Sequence, residues 1–271
     1  MGISVGGLAS GLDTEGIISQ LLSVEQRSIM QIQRKIALVI GIDHYADARI
    51  PSLDGALKDA NAVADVFARK LGYETVVVQD ASREAIFRAL NRLALQAHPE
   101  DSVLIYYAGH GDLIEKTRTG YWIPANASVD RPQTWISNND IGRLLSLISA
   151  SQVALVSDSC FSGSLIAGDA LRSTGSEADP GTLLRHRSAV VMSSGGNEPV
   201  ADTGKNGHSP FAWNLMRNLE KVASWRPGSN VFEQVRQAVI REVPQHPRYG
   251  PAVAGRHEAG GDYLFETRQY E

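Results

Sequence analysis

Two reactive side chains occupy matching places in the chain. His110 ends the stretch Val103-Leu-Ile-Tyr-Tyr-Ala-Gly-His110, and Gly111 follows it. Cys160 ends Val153-Ala-Leu-Val-Ser-Asp158-Ser159-Cys160, with Gly163 close behind. Each follows an apolar run, and 50 positions separate them. A thiol is a weak nucleophile until a base or a positive environment makes the thiolate. An imidazole delivered to the same place supplies that base. Singly, neither residue argues for chemistry: a lone buried Cys is most often a small hydrophobe, and a lone His after a strand is most often structural. Together, with Gly109 and Gly111 around the His and Asp158 and Gly163 around the Cys, they point to a cysteine hydrolase.

That chemistry requires two neighbouring parallel strands ending at one sheet edge, where open α/β sheets bind ligands. The pattern supplies them. Strands are predicted at Ile36–Ile42, Glu74–Val78, Ser102–Tyr107, Gln152–Ser157 and Ser188–Ser193, with a short closing strand at Asp262–Phe265. Helices are predicted over Asp54–Leu71, Ser82–Ala97, Ile141–Ile148 (capped by Ser137 or Asn138), Ser209–Leu219 and Val231–Val243. This alternation implies an α/β fold, a mostly parallel sheet with helices on both faces. Gly163–Arg187, rich in Gly, Ser, Asp and Arg, reads as a long loop. Residues 1–34 stand apart. Glycines break up their start, Asp13 or Thr14 can cap a helix, and Ile18, Leu22, Ile29 and Ile32 keep one face apolar as far as about Arg34. The expected organisation is an N-terminal helical arm, 1–34, and a main domain, 35–271.

The 271 residues, 43% hydrophobic, suffice for one sizeable core. A net charge of -4 gives no reason to expect nucleic acid or an anionic membrane as partner. A single cysteine excludes an intrachain disulfide and a cysteine-rich zinc site. His186, His208, His246 and His257 are scattered without metal spacing, so no metal is expected. No run of 18 apolar residues suggests a membrane span, and residues 1–12 lack the basic start of a secretory signal. A reactive free thiol fits a reducing compartment, and the expected location is cytoplasmic. No phosphate-cradling glycine motif supports a nucleotide cofactor.

Six stretches in order carry a resemblance: Lys35-Ile-Ala-Leu-Val-Ile-Gly-Ile-Asp-His-Tyr45, Leu53-Asp-Gly-Ala-Leu-Lys-Asp-Ala60, Tyr107-Ala-Gly-His-Gly111, Asp158-Ser-Cys-Phe-Ser-Gly163, Gly207-His-Ser-Pro-Phe211 and Gly260-Gly-Asp-Tyr-Leu-Phe265. Through them residues 35–267 resemble the caspase-like cysteine peptidases of the bacterial and metacaspase branch, peptidase C14-like. A His about 50 residues upstream of the Cys is that family's own spacing. The resemblance implies a three-layer α/β/α sandwich with about six mostly parallel strands, and peptide-bond hydrolysis with no cofactor. Separately, Gly-Leu-Ala-Ser-Gly-Leu-Asp-Thr-Glu-Gly-Ile-Ile-Ser-Gln-Leu, residues 7–21, resembles the N-terminus of the flagellar filament-cap protein. That implies a flagellar or self-association partner for residues 1–34.

The roles follow from chemistry and resemblance together. Cys160 is the expected nucleophile and His110 the expected base, with no evident third residue to orient it. The backbone N–H groups of Gly111 and Cys160 are the expected oxyanion donors. Asp59 and Asp158 match the acidic residues that line the S1 pocket in metacaspase-type enzymes, which implies protein or peptide substrates with Arg or Lys at P1. The family's paired calcium-binding acids are missing from Ser137-Asn138-Asn139-Asp140, so no strong calcium site is expected. A protease selective for basic residues could process itself, at Arg172, Arg185 or Arg187 in the loop, or after Arg34 at the arm. The rival reading is a catalytically idle interaction module acting through its arm.

Overall fold

The computed structural model describes residues 32, 34–160, 162–167, 179–196 and 200–267. The expected N-terminal helix and Arg172 lie outside them, while Arg34 is the first residue of a strand. The strands are β1 (Arg34–Gly41), β2 (Glu74–Gln79), β3 (Asp101–Ala108), β4 (Gly111–Ile114), β5 (Thr119–Trp122), β6 (Ile136–Ser137), β7 (Gln152–Asp158), β8 (Ser188–Ser193), β9 (Trp225–Pro227), β10 (Arg248–Pro251) and β11 (Leu264–Glu266). The α-helices are α1 (Ala56–Arg69), α2 (Arg83–Gln96), α3 (Asn138–Leu147), α4 (Pro180–Leu184), α5 (Pro210–Leu219) and α6 (Gly228–Glu242).

Six strands form the main sheet in the order β10-β8-β7-β3-β1-β2, and only the β10–β8 pair is antiparallel. The central strands are apolar throughout because both faces are covered. Along β1, Ala37 and Val39 face one layer, while Ile36, Leu38 and Ile40 face the other. The first layer contains α1, α5 and α6, and the second contains α2 and α3. The expected three-layer sandwich is therefore present. Side-chain caps start three of the helices where the sequence placed them: Ser82 accepts from Ala85 N, Ser137 from Asp140 N and Ser209 from Ala212 N. Among the described residues, no helix is long and apolar enough to cross a membrane.

Three expectations are corrected. The strand predicted at Asp262–Phe265 is displaced to Leu264–Glu266 and pairs only with β9, outside the main sheet. Asp262 instead accepts hydrogen bonds from Ser229 and Tyr249. The sixth strand of the main sheet is Arg248-Tyr-Gly-Pro251, whose Gly and Pro hid it; proline is tolerated there because the strand is at an edge. The span 163–187 is not structureless throughout: a 3-10 turn at Ser162–Leu165, a bridge from Ile166 to Ala252 and α4 occupy its described parts.

Helix α1 lies directly on β1 at Gly41, where an added Cβ would meet Ala60 Cβ at 2.7 Å and Ala56 O at 2.9 Å. Overpacking of this kind costs roughly 1–3 kcal/mol and displaces backbone. Gly41→Val is expected to lower stability by at least that much in urea unfolding and to shift α1, which carries Asp59.

Candidate active site

The central register brings the two reactive residues together. Strands β3 and β7 pair in parallel with Ala108 opposite Asp158 as the last pair. His110 and Cys160 each lie two residues beyond it, at the carboxyl edge. Both line one cavity of about 290 Å³, together with Asp59, Asp158, Asp202 and Ser209.

The His110 ring is held by groups that sequence reasoning did not find. Its Nε2 lies 2.8 Å from the Pro51 carbonyl, which can only accept. In the neutral ring, Nε2 therefore carries the proton and Nδ1 presents the lone pair. Tyr45 packs against the ring at 5.0 Å between centroids, and its hydroxyl accepts from His110 N at 2.9 Å. The Tyr107 hydroxyl donates to the His110 carbonyl at 2.8 Å. No third side chain is evident in the sequence to orient His110; the ring is met instead by a backbone carbonyl, which leaves no mark in a residue pattern.

Cys160 is half-buried, and its Sγ accepts from Val200 N at 3.3 Å. Burial pushes the thiol above its ordinary value, and the nearby Asp158 adds to that rise. Gly111 approaches Cys160 so closely that a Cβ there would overlap the Cys160 carbonyl. Ile123 N donates to the His110 carbonyl, which makes Gly111 and Trp122 a non-hydrogen-bonded pair of the β4–β5 ladder. The Gly111 N–H therefore points away from β5. The strand end beneath Cys160 is fixed by Trp122 Nε1 donating to Ser157 Oγ at 3.1 Å and by Ser157 and Ser159 hydroxyls 3.0 Å apart.

Asp59 and Asp158 are both buried, at 1% and 7% exposure. Asp59 lies within α1 and Asp158 ends β7, yet neither is solvated. Ser209 joins them: its N–H donates to Asp59 Oδ2 at 3.0 Å and its hydroxyl to Asp158 Oδ2 at 2.5 Å. His208, set aside as scattered in the sequence, places Nδ1 2.6 Å from Asp59 Oδ1. Burial pushes both carboxyls up, each to about 7; the Ser209 bonds oppose the rise, while the charge of Asp59 adds to it at Asp158. Ser209-Pro210 has the form of an N-cap followed by a helix-starting proline, a signal that could have flagged this turn. In the 137–140 stretch, the Asp140 carboxylate accepts from the Ser137 hydroxyl within the α3 cap. Among the described residues, no group of three or more His, Cys, Asp or Glu side chains could hold a metal ion.

The candidate processing sites differ in setting. Arg34 is paired with Asp101 at 2.7 Å inside β1. Arg187 is partly buried and donates to the carbonyls of Ile148, Ala150 and Gly255. Arg185 is exposed at the end of α4.

Comparison with known proteins places this geometry among relatives. The Caspase domain family matches residues 34–252. A metacaspase-1 of Meyerozyma guilliermondii is 30% identical over 91 residues, which are 30% of this chain and 22% of that protein. A metacaspase-1 of Candida glabrata is 28% identical over 118 residues, 37% of this chain and 30% of that protein. The chain thus spans less than a third of the length of these relatives. Among solved structures, caspase-1 of Spodoptera frugiperda superposes with a TM-score of 0.61 at 16% identity, covering 86% of this chain and 92% of that one. A Geobacter sulfurreducens protein gives a TM-score of 0.57, also at 16% identity, covering 85% and 99%. At such identities these two likenesses concern the fold.

The buried carboxyls tie stability to pH. A carboxyl whose value is raised on folding keeps its proton where the unfolded chain has lost it, so stability falls as pH rises from about 4 towards 7. Asp158→Asn removes that loss while leaving an acceptor for Ser209. Its melting temperature is expected to exceed that of the wild type at pH 8, by less as pH falls, and not at pH 4; calorimetry across this range checks it.

Proposed function

The chain belongs to the caspase-domain family, and we propose that it is a cysteine endopeptidase that cuts after Arg or Lys. One observation carries the reading: the cavity shared by the Cys160 thiol and the His110 imidazole is also lined by two buried carboxyls, Asp59 and Asp158. His110 Nδ1 takes the proton of Sγ, and the thiolate attacks the carbonyl carbon of the scissile bond. The carbonyl oxygen becomes an oxyanion and accepts from the N–H groups of Gly111 and Cys160. As the tetrahedral centre collapses, the C–N bond breaks and the leaving amine takes the proton from the imidazolium. Water, deprotonated by His110, then attacks the thioester. The carboxylate product leaves, and the thiol regains its proton.

A guanidinium or ammonium at P1 supplies the cation that two buried carboxylates lack, and an aspartate there would add a third negative charge. The same site disfavours the idle-module reading, because both reactive groups stand intact in one cavity. Self-processing is part of the proposal, at Arg172 or Arg185; Arg34 and Arg187 would first have to leave their partners. Residues 1–34 would act as a docking arm for flagellar subunits or a second copy, on the strength of their resemblance alone.

In a P1-varied fluorogenic library, turnover is expected with Arg and Lys only, and absent in Cys160→Ala and His110→Ala. A profile led by Asp would sink the assignment. Truncating one partner of a buried charge pair costs roughly 3–5 kcal/mol, so Asp158→Ala should lower kcat/KM for basic substrates more than about a hundredfold. Mass spectrometry of wild type beside Cys160→Ala should show fragments ending at Arg172 or Arg185 in the wild type alone. The same fragments in both would point to a contaminating protease.

A further inference from the structure

His208 is outside the dyad, and the mechanism above gives it no role. Its side chain is only 12% exposed, its ring lies 5.9 Å from that of Trp213, and Nδ1 is 2.6 Å from Asp59 Oδ1. The next residue, Ser209, holds Asp59 Oδ2 through its N–H. Two successive residues of one segment therefore grip both oxygens of a single carboxylate. That segment is itself fastened to α1: Lys58 Nζ donates to the Asn206 carbonyl at 2.5 Å. Asn206 and Gly207 take φ of +56° and +72°, the left-handed turn that carries the chain back over the helix.

We propose that His208 is a positioning residue of the S1 pocket, donating Nδ1–H to Asp59 so that this carboxylate is oriented for the P1 cation and ionises more readily. This rests on the reading that Asp59 lines S1. The hydrogen-bond accounting supports it. Each carboxylate oxygen can accept twice, so His208 and Ser209 leave one lone pair on each oxygen for a substrate. A buried carboxyl tends to keep its proton, and each donor aimed at it works the other way. The other charged or titratable groups around the pair are Lys58 of α1, Asp43 before α1, Tyr106 of β3, Asp158 of β7, Asp202 on the loop before α5, and Arg217 across Trp213 on α5. Three of these are further carboxyls, and of them Asp43 directly opposes ionisation of Asp59. The His208 donor is thus set against a local excess of negative charge.

A purely structural role for the ring, packing on Trp213, makes the opposite forecast, and two variants separate them. His208→Phe keeps a ring for Trp213 and has no donor. His208→Asn loses the ring and keeps an N–H near the position of Nδ1. KM and kcat for an Arg-P1 peptide are measured across neutral pH, beside the rate of Cys160 alkylation by iodoacetamide, which does not use S1. His208→Phe is expected to raise KM about tenfold, the worth of a hydrogen bond to a charged group. It should leave kcat and alkylation unchanged and shift the acidic limb of 1/KM to higher pH. His208→Asn should restore both KM and the limb. A His208→Phe variant equal to wild type, or one that loses kcat and alkylation along with KM, overturns the inference. If the wild type itself shows no preference for basic P1 residues, the S1 reading falls and takes this one with it; a basic-selective wild type with an inert His208 defeats this inference alone.

Discussion

In-register pairing of β3 with β7 sets the spacing of the two reactive residues. The two strands end together at Ala108 and Asp158, so two residues of turn on each side carry an imidazole and a thiol to one place. A one-residue slip would reverse which face each side chain meets and would send apolar residues of both strands out of their layers. The core therefore enforces the register, and the register enforces the chemistry. Glycine is needed where the turns meet, because any side chain at Gly111 would strike the Cys160 carbonyl.

The same register holds Asp158 beneath the thiol, and this has a cost. A carboxyl at 7% exposure next to another at 1% is an unfavourable arrangement for two charges. The fold offsets it with donors: the α5 start turns the Ser209 N–H and hydroxyl onto the pair, and the positive end of that helix points the same way. What remains is a pocket still short of positive charge. Natural proteins tolerate such local destabilisation mostly where function uses it, which is why the carboxyls and the thiol are read as one site.

Much of this was legible in the sequence, for definite reasons. Strands covered on both faces are apolar throughout, so β1, β3, β7 and β8 stood out, and the helices starting at Ser82 and Ser209 were placed correctly. The His110–Cys160 pair was legible because each reactive residue follows its strand directly. What stayed hidden depends on contacts between distant segments. Nothing in a residue pattern shows that the Pro51 carbonyl receives Nε2 of His110, or that His208 turns onto Asp59, 149 residues earlier. Strand β10 was missed because its Arg-Tyr-Gly-Pro has neither alternation nor length, and it joins the sheet only because β8 offers an open edge.

The electrostatics of the pocket and of the nucleophile are not independent. Asp158, two residues before Cys160, raises the thiol's proton affinity along with burial. Whenever Asp158 is ionised, its charge therefore adds to burial in disfavouring the thiolate. On the proposed reading of the pocket, a P1 cation beside Asp158 offsets that part of the rise, while the part that comes from burial remains. If the S1 reading holds, the charge at P1 and the acidity of the sulfur are therefore linked, and selectivity would show in the chemical step as well as in binding.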